Sequence, residues 1–326
     1  MPIWLTDLIE KVPAEVEEKV KHVREQTRAT IQEALRAECR LVLRNNDEAE
    51  GKGRYTQVPI EIAPGYPASL RNIQFSDDLE FIILLGRYRY VLEQAKLGTE
   101  GLKRLRDKLK TRPTVTDHIK ATNDELQATF DWATYLLFIL NKNDPLNTIL
   151  SVRDDILGVY QYKHNPLYDD DRATNWAKIT LYWGVIGLVA EWMGVSIEDL
   201  TIVVLTHELA HAYTQLGADI EGRRWPASLF AASDKALVEG LAQYYTERVL
   251  RRLERRFGAA LKVYEAMLPK QPEVYRSHLP WVENTSPEAV RRAMLEVRRW
   301  KKGTIEEFNK RLSEAHKGLH PDGHFS

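Results

Sequence analysis

The spacing of apolar positions predicts a chain that is mostly helical. Charged residues with apolar positions at helical spacing run from about Ala14 to Leu43, until Asn45-Asn46-Asp47 and the stretch Gly51–Gly53 break the pattern as a turn-rich loop. Tyr55–Ile62 alternates apolar and polar residues and suits a strand, with Pro59 placing it at a sheet edge. Helical periodicity returns from about Asp78 to Lys96 and from Glu100 to Lys110, and Pro113 marks a boundary. Asp124–Leu140 reads as an amphipathic or buried helix carrying Phe130, Trp132, Leu136, Leu137 and Phe138, closed by Asn141–Pro145.

Beyond residue 145 the character changes, which suggests a mostly helical N-terminal region over 1–145 and a second region over 146–326. Ile156–Tyr162 reads as a strand, followed by a polar loop at His164–Arg172. Ile179–Trp183 is either a short strand or the first turns of a helix that continues through Val185 to Trp192 and closes near Gly194. Ser196 caps the next helix, with Glu198 and Asp199 in a first turn that favours acids. That helix is apolar nearly all round, which argues that it is buried. A loop with Gly217, Gly222 and Pro226 leads to Ser233-Asp234, which opens a helix running past Leu250. Ser286-Pro287-Glu288 starts another helix, running to Trp300, and Thr304–Glu307 is a capping box for a last one. The tail after Gly318 is expected to be disordered. The fold class expected is mainly α, an α+β protein in which a small sheet with an antiparallel edge packs on two central helices.

Composition adds exclusions. The formal net charge of −1 over 326 residues points to neither nucleic acid nor an acidic membrane surface as a partner. Arg251-Arg252 with Arg255-Arg256 is read as a solvated helix face. Cys39 is the only cysteine, so neither an intrachain disulfide nor a multi-cysteine metal site is available. The N-terminus lacks the pattern of a signal peptide, and apolar runs such as Phe81–Leu85 and Tyr135–Leu140 are too short to span a bilayer, so a cytoplasmic protein is expected.

The chemistry is concentrated in His207-Glu208-Leu209-Ala210-His211. Two histidines four apart on a helix share a face and can reach one tetrahedral Zn²⁺, leaving room for a third protein ligand and a water. Glu208, one step round the helix, is placed to take a proton from that water. Glu239 lies in the apolar run Ala236–Ala242 of the next helix. An acid there is costly to bury unless it is paired or bound to metal. Helical geometry puts Gln243 and Thr246 on the Glu239 face, whereas Tyr244 and Tyr245 read as packing residues. Tyr275 and His278, in the irregular segment around Pro272 and Pro280, are candidates for steadying an oxyanion. Arg223-Arg224-Trp225, between the two helices, could rim a cleft.

The motif His207–His211 with Glu239-Gly240-Leu241-Ala242 resembles the gluzincin superfamily of zinc metallopeptidases, the thermolysin-like group, over roughly residues 150 to 250. The resemblance implies one Zn²⁺ per chain held by His207, His211 and Glu239, with Glu208 as general base acting on a zinc-activated water. It also implies a peptide or protein substrate, aligned by an edge strand above the histidine helix. Ile156–Tyr162 and Ile179–Trp183 are the candidates for that strand. Thermolysin-like members carry an aspartate where this chain has Gln243, a departure at a supporting hydrogen bond rather than at a ligand. The competing expectation is a regulatory or partner-binding protein that retains the metallopeptidase-like zinc fold. The intact Glu208 favours the enzyme.

Overall fold

The computed structural model describes residues 2–43, 58–109, 116–152, 155–163, 176–219, 230, 232–299 and 303–319. The expected loops at Asn45–Gly53 and His164–Arg172, the triplet Arg223–Trp225, Trp300 and the tail from His320 lie outside these residues. In chain order the first elements are β1 (Ile3–Trp4), α1 (Leu5–Glu10), α2 (Glu15–Cys39), β2 (Leu41–Val42), β3 (Ile60–Ala63) and β4 (Gln74–Phe75). There follow α3 (Leu79–Arg87), α4 (Arg89–Leu109), α5 (Thr116–Asn143), α6 (Pro145–Leu150), β5 (Gly158–Lys163) and β6 (Trp176–Tyr182). The remainder comprises α7 (Trp183–Met193), α8 (Ile197–Leu216), β7 (Ala218–Asp219), α9 (Lys235–Arg252) and α10 (Glu254–Met267). The last three helices are α11 (Leu279–Asn284), α12 (Pro287–Val297) and α13 (Ile305–Leu319). The protein is thus mainly helical, with sheets of two or three strands.

Two compact units emerge, one made of Met1–Asp7 with Asn72–Ile149, the other of Leu8–Arg71 with Leu150–Ser326. The third crossing, between Ile149 and Leu150, falls close to the division read at 145/146, but residues 8–71 join the C-terminal unit instead of the rest of the N-terminal half. The reason is packing. The stripe Val16, Val20, Val23, Ile31 and Leu35 of α2 is buried where that helix meets α8 and α9. β2 pairs with β7, and β3 with β6. Helical periodicity showed that α2 had an apolar stripe; it could not show what covers it. α2 also stops earlier than Leu43, at Arg40, which takes a left-handed φ of 52° so that Leu41–Val42 can pair as a strand.

In this larger unit α8 is the central element. Every residue from Leu200 to Gln215 is buried, in keeping with its all-round apolar sequence. Its start is set by Ser196, whose hydroxyl accepts from the Asp199 amide at 3.0 Å, a cap contributing about 1 kcal/mol. α2, α9 and α10 pack around it, and β5 and β6 lie against it. The three-stranded sheet has the order β3-β6-β5. β5 pairs antiparallel to β6, with Tyr160 opposite Ile179, while β3 runs parallel to β6 at the other edge, just after Pro59. Both readings of Ile179–Trp183 are realised in succession: the strand continues to Tyr182, and α7 starts at Trp183. α7 closes at Gly194, whose φ of 67° suits a residue without a side chain. At the C-terminal end, Ser286 and Thr304 accept backbone amides from Ala289 and Glu307, each at 3.2 Å, and start α12 and α13. α12 stops at Val297, short of Trp300.

The smaller unit is built from α3, α4 and α5 around Ile82, Leu85, Leu92, Leu136, Leu137 and Leu140. The helical run expected over Asp78–Lys96 is divided at Tyr88, and α4 then absorbs the run expected from Glu100. On α5 the predicted core residues separate: Leu136 and Leu137 are buried, while Trp132 and Phe138 are exposed. No helix among the described residues is long and apolar enough to cross a membrane.

Candidate metal centre

α8 and α9 bring three sequence-predicted ligands together. His207 and His211 are one turn apart, and their Nε2 atoms face each other at 3.1 Å. Glu239 Oε2, from α9, lies 3.5 Å from His207 Nε2 and 3.3 Å from His211 Nε2. A tetrahedral zinc with bonds of about 2.0–2.1 Å separates its ligand atoms by about 3.3–3.4 Å. The three atoms therefore outline one face of such a tetrahedron. Two ring nitrogens this close repel each other unless a proton or a cation sits between them. All three residues are buried, and the Tyr160 ring stacks almost parallel to His211, fixing its plane.

The electrostatics follow from burial and crowding. Burial would push the Glu239 carboxyl up, but His211 and His207 outweigh it and hold Glu239 well below the usual carboxylate range. Burial likewise opposes charge on His211, yet the carboxylates of Glu239, Asp155 and Glu208 raise its pKa to about 9. Three carboxylates surround two imidazoles, an excess of negative charge that a divalent cation would balance. The donor chemistry therefore fits a zinc-type ion, for which imidazole and carboxylate are ordinary ligands.

Glu208 is almost fully buried, and its Oε2 has no hydrogen-bond partner among the described residues. Burial, reinforced by the charge of Asp155, drives its pKa well above the ordinary value. Above it passes β5, the sheet edge nearest the motif. A Cβ placed on Gly158 would lie 3.0 Å from Glu208 Cγ and 2.9 Å from Val204 Cγ1, so only glycine allows the strand this close. Of the two strand candidates, β5 is the edge and β6 the centre of the sheet. Among the described residues no strand pairs with the far side of β5.

Asp155 joins the cluster without having been anticipated. Its Oδ1 lies 3.9 Å from His207 Nε2, and the ligand atoms of Asp155, His207, His211 and Glu239 all fall within 4.8 Å of one another. The only cue in the sequence was an acid just ahead of the strand expected over the helix, and no spacing rule picks it out. Tyr275 donates its hydroxyl proton to Asp155 Oδ1 at 2.7 Å and packs its ring 6.1 Å from that of His207. Tyr275 thus stands at the cluster.

His278 does not. It is fully buried behind Tyr275, with Nδ1 3.0 Å from the Tyr275 carbonyl and Nε2 3.0 Å from Tyr264 Oη and 3.2 Å from Glu247 Oε2. It anchors the Tyr275 segment and does not face the ligands. Gln243 sits one turn from Glu239, with Nε2 3.4 Å from Gln271 Oε1, a long contact. Its Oε1 and His207 Nδ1 are both buried without partners among the described residues, so Gln243 makes no supporting bond to that histidine. Tyr244 and Tyr245 pack edge to face in the core. Next to His207 and Glu208 opens a cavity of about 50 Å³ walled by Leu150, Val152, Val203 and Met267, with Gln243 and Gln271 also in its lining. Compared with protein-family models, curated proteins and solved structures, the chain matches none.

Proposed function

We propose that this protein is a zinc-dependent metallopeptidase of gluzincin type. The observation that carries the reading is the convergence of His207, His211 and Glu239 at tetrahedral spacing, beside a buried carboxylate, Glu208, that is not needed to hold an ion. His207, His211 and Glu239 would hold Zn²⁺. The ion, when bound, would polarise the scissile carbonyl and lower the pKa of a water to about 7.

The remaining work falls to side chains and backbone. Glu208 takes the proton of the attacking water and hands it to the leaving amine. An extended peptide adds to the edge of β5 that no described strand covers, by main-chain hydrogen bonds, which sets its scissile bond over Glu208. The Tyr275 hydroxyl donates to the oxygen that gains charge. The apolar-walled cavity beside Glu208 receives a side chain next to the scissile bond and keeps water from it.

A second reading has an observation of its own. Asp155 supplies a fourth donor, and an ion closed by four protein ligands would be structural, as in a regulatory or partner-binding protein. Glu208 has no task in such a site. The test is metal analysis of the purified protein beside His211→Ala, joined to digestion of a peptide mixture. Zinc and cleavage in the wild type, both lost in the variant, support the enzyme. Equal zinc in both proteins refutes the ligand set.

A further inference from the structure

The geometry of Asp155 differs from that of the other donors. Its Oδ1 stands 3.9 Å from His207 Nε2, whereas the three helix-borne atoms are 3.1–3.5 Å apart. Those three side chains are fixed by α8 and α9. Asp155 sits between α6 and β5, outside regular secondary structure. Its side chain is 18% exposed, against 5% for His211 and Glu239. A donor outside the packed helices, with a path to solvent, leaves at lower cost than one inside them. Its neighbour matters as much: while Asp155 is in place, the Tyr275 proton is committed to it at 2.7 Å. A hydroxyl so engaged cannot serve a substrate oxygen.

We infer that Asp155 is a displaceable fourth ligand, which closes the metal site in the substrate-free protein and on leaving releases the Tyr275 hydroxyl to the incoming oxygen. The exchange is one oxygen ligand for another. Tyr275 keeps its proton and redirects its hydrogen bond, and nothing is oxidised or reduced. The identity of the incoming group as a peptide carbonyl rests on the metallopeptidase reading; the exchange itself does not. A four-donor resting site and a working enzyme are then compatible, since the fourth position is closed only until substrate arrives.

Cobalt and azide test this without any turnover, because Co²⁺ reports its ligands in visible absorption where d¹⁰ zinc is silent. The full chain is stripped, loaded with Co²⁺ and titrated with azide, as wild type and as Asp155→Asn. The variant should bind Co²⁺ about tenfold more weakly and show a shifted visible band. It should also bind azide about tenfold more tightly, as expected if Asp155 holds the position about nine-tenths of the time. Tyr275→Phe, which leaves the carboxylate in place, should stay within a few-fold of wild type in Co²⁺ affinity. Equal azide affinity in wild type and Asp155→Asn overturns the inference, as does unchanged Co²⁺ affinity. Asp155→Ala gives the same comparison if the asparagine variant does not fold. Peptide hydrolysis by the zinc protein is scored separately: a chain that exchanges azide as described but cuts nothing loses the peptidase reading and keeps the displaceable ligand.

Discussion

Gly158 and Glu208 are in such close approach that a single added methyl on the strand would fall 3.0 Å from the glutamate Cγ. The same methyl would meet Val204 at 2.9 Å and Leu181 at 3.0 Å, all within a packed layer between β5 and α8. Gly158→Ala must therefore push the strand outward or rotate Glu208. The expected cost is about 1–3 kcal/mol of stability from overpacking. Turnover should fall up to about 100-fold, because an ångström of misplacement at a reacting group has that effect. Zinc content should not change. Denaturant melts, metal analysis and peptide hydrolysis on one preparation check all three, and undiminished turnover would show that β5 does not align substrate.

In the proposed reaction the Tyr275 hydroxyl acts on the oxygen that gains charge; in the structure it donates to Asp155, and its ring packs near His207. Tyr275→Phe should lower kcat by roughly 10²–10³-fold with little change in KM, the pattern for a donor that acts only as charge develops. A rise in KM at constant kcat would assign the residue to substrate binding instead.

Glu247 and His278 support the Tyr275 segment from behind, and their pairing has a pH signature. Burial alone would raise the Glu247 pKa, but hydrogen bonds from His278 and Arg251 outweigh it and hold the pKa below its ordinary value. A lowered folded pKa means stability that is full above the unfolded value of about 4.3 and is lost as pH falls through the folded one. Glu247→Gln should thus be less stable than wild type by about 1.5–3 kcal/mol at pH 7. The gap should narrow below about pH 4. Melts at pH 7 and pH 3.5 check this, and a gap independent of pH would show that the Glu247 charge does not stabilise the fold.

Removing metal should leave three crowded carboxylates opposed only by the two imidazoles. A chelator is expected to lower Tm, and zinc at about 100 times its Kd should restore about 2.7 kcal/mol. Mg²⁺ should not substitute, since two of the donors are imidazoles. Glu239→Ala should show no zinc-dependent shift, and an equal shift in that variant would exclude Glu239 as a ligand.

How much could be read from the chain varies with the element. α8 and α9 were legible because a motif at helical spacing and an acid in an apolar run both constrain a regular structure. The meeting of His207, His211 and Glu239 follows from those two helices packing together. Asp155 was not legible, because a donor outside regular structure has no periodicity to betray where it points. Tyr275 and His278 lie three residues apart in a segment of short turns, where spacing does not decide which side chain faces the ligands; the turn at Glu273–Arg276 decides it. The division of one helical run into α3 and α4 at Tyr88 is announced only by Gly86 in the last turn of α3, and an isolated glycine within a helical pattern does not by itself predict a break.

In the proposed reaction Glu208 moves a proton during peptide hydrolysis at a zinc site it does not help to hold. The direct measurement is cleavage of a peptide mixture by wild type and Glu208→Gln, with zinc quantified in both. Equal zinc, defined cleavage sites from the wild type, and loss of cleavage in the variant are expected. Cleavage by Glu208→Gln at the wild-type rate, or none by the zinc-loaded wild type, would contradict the proposed reaction.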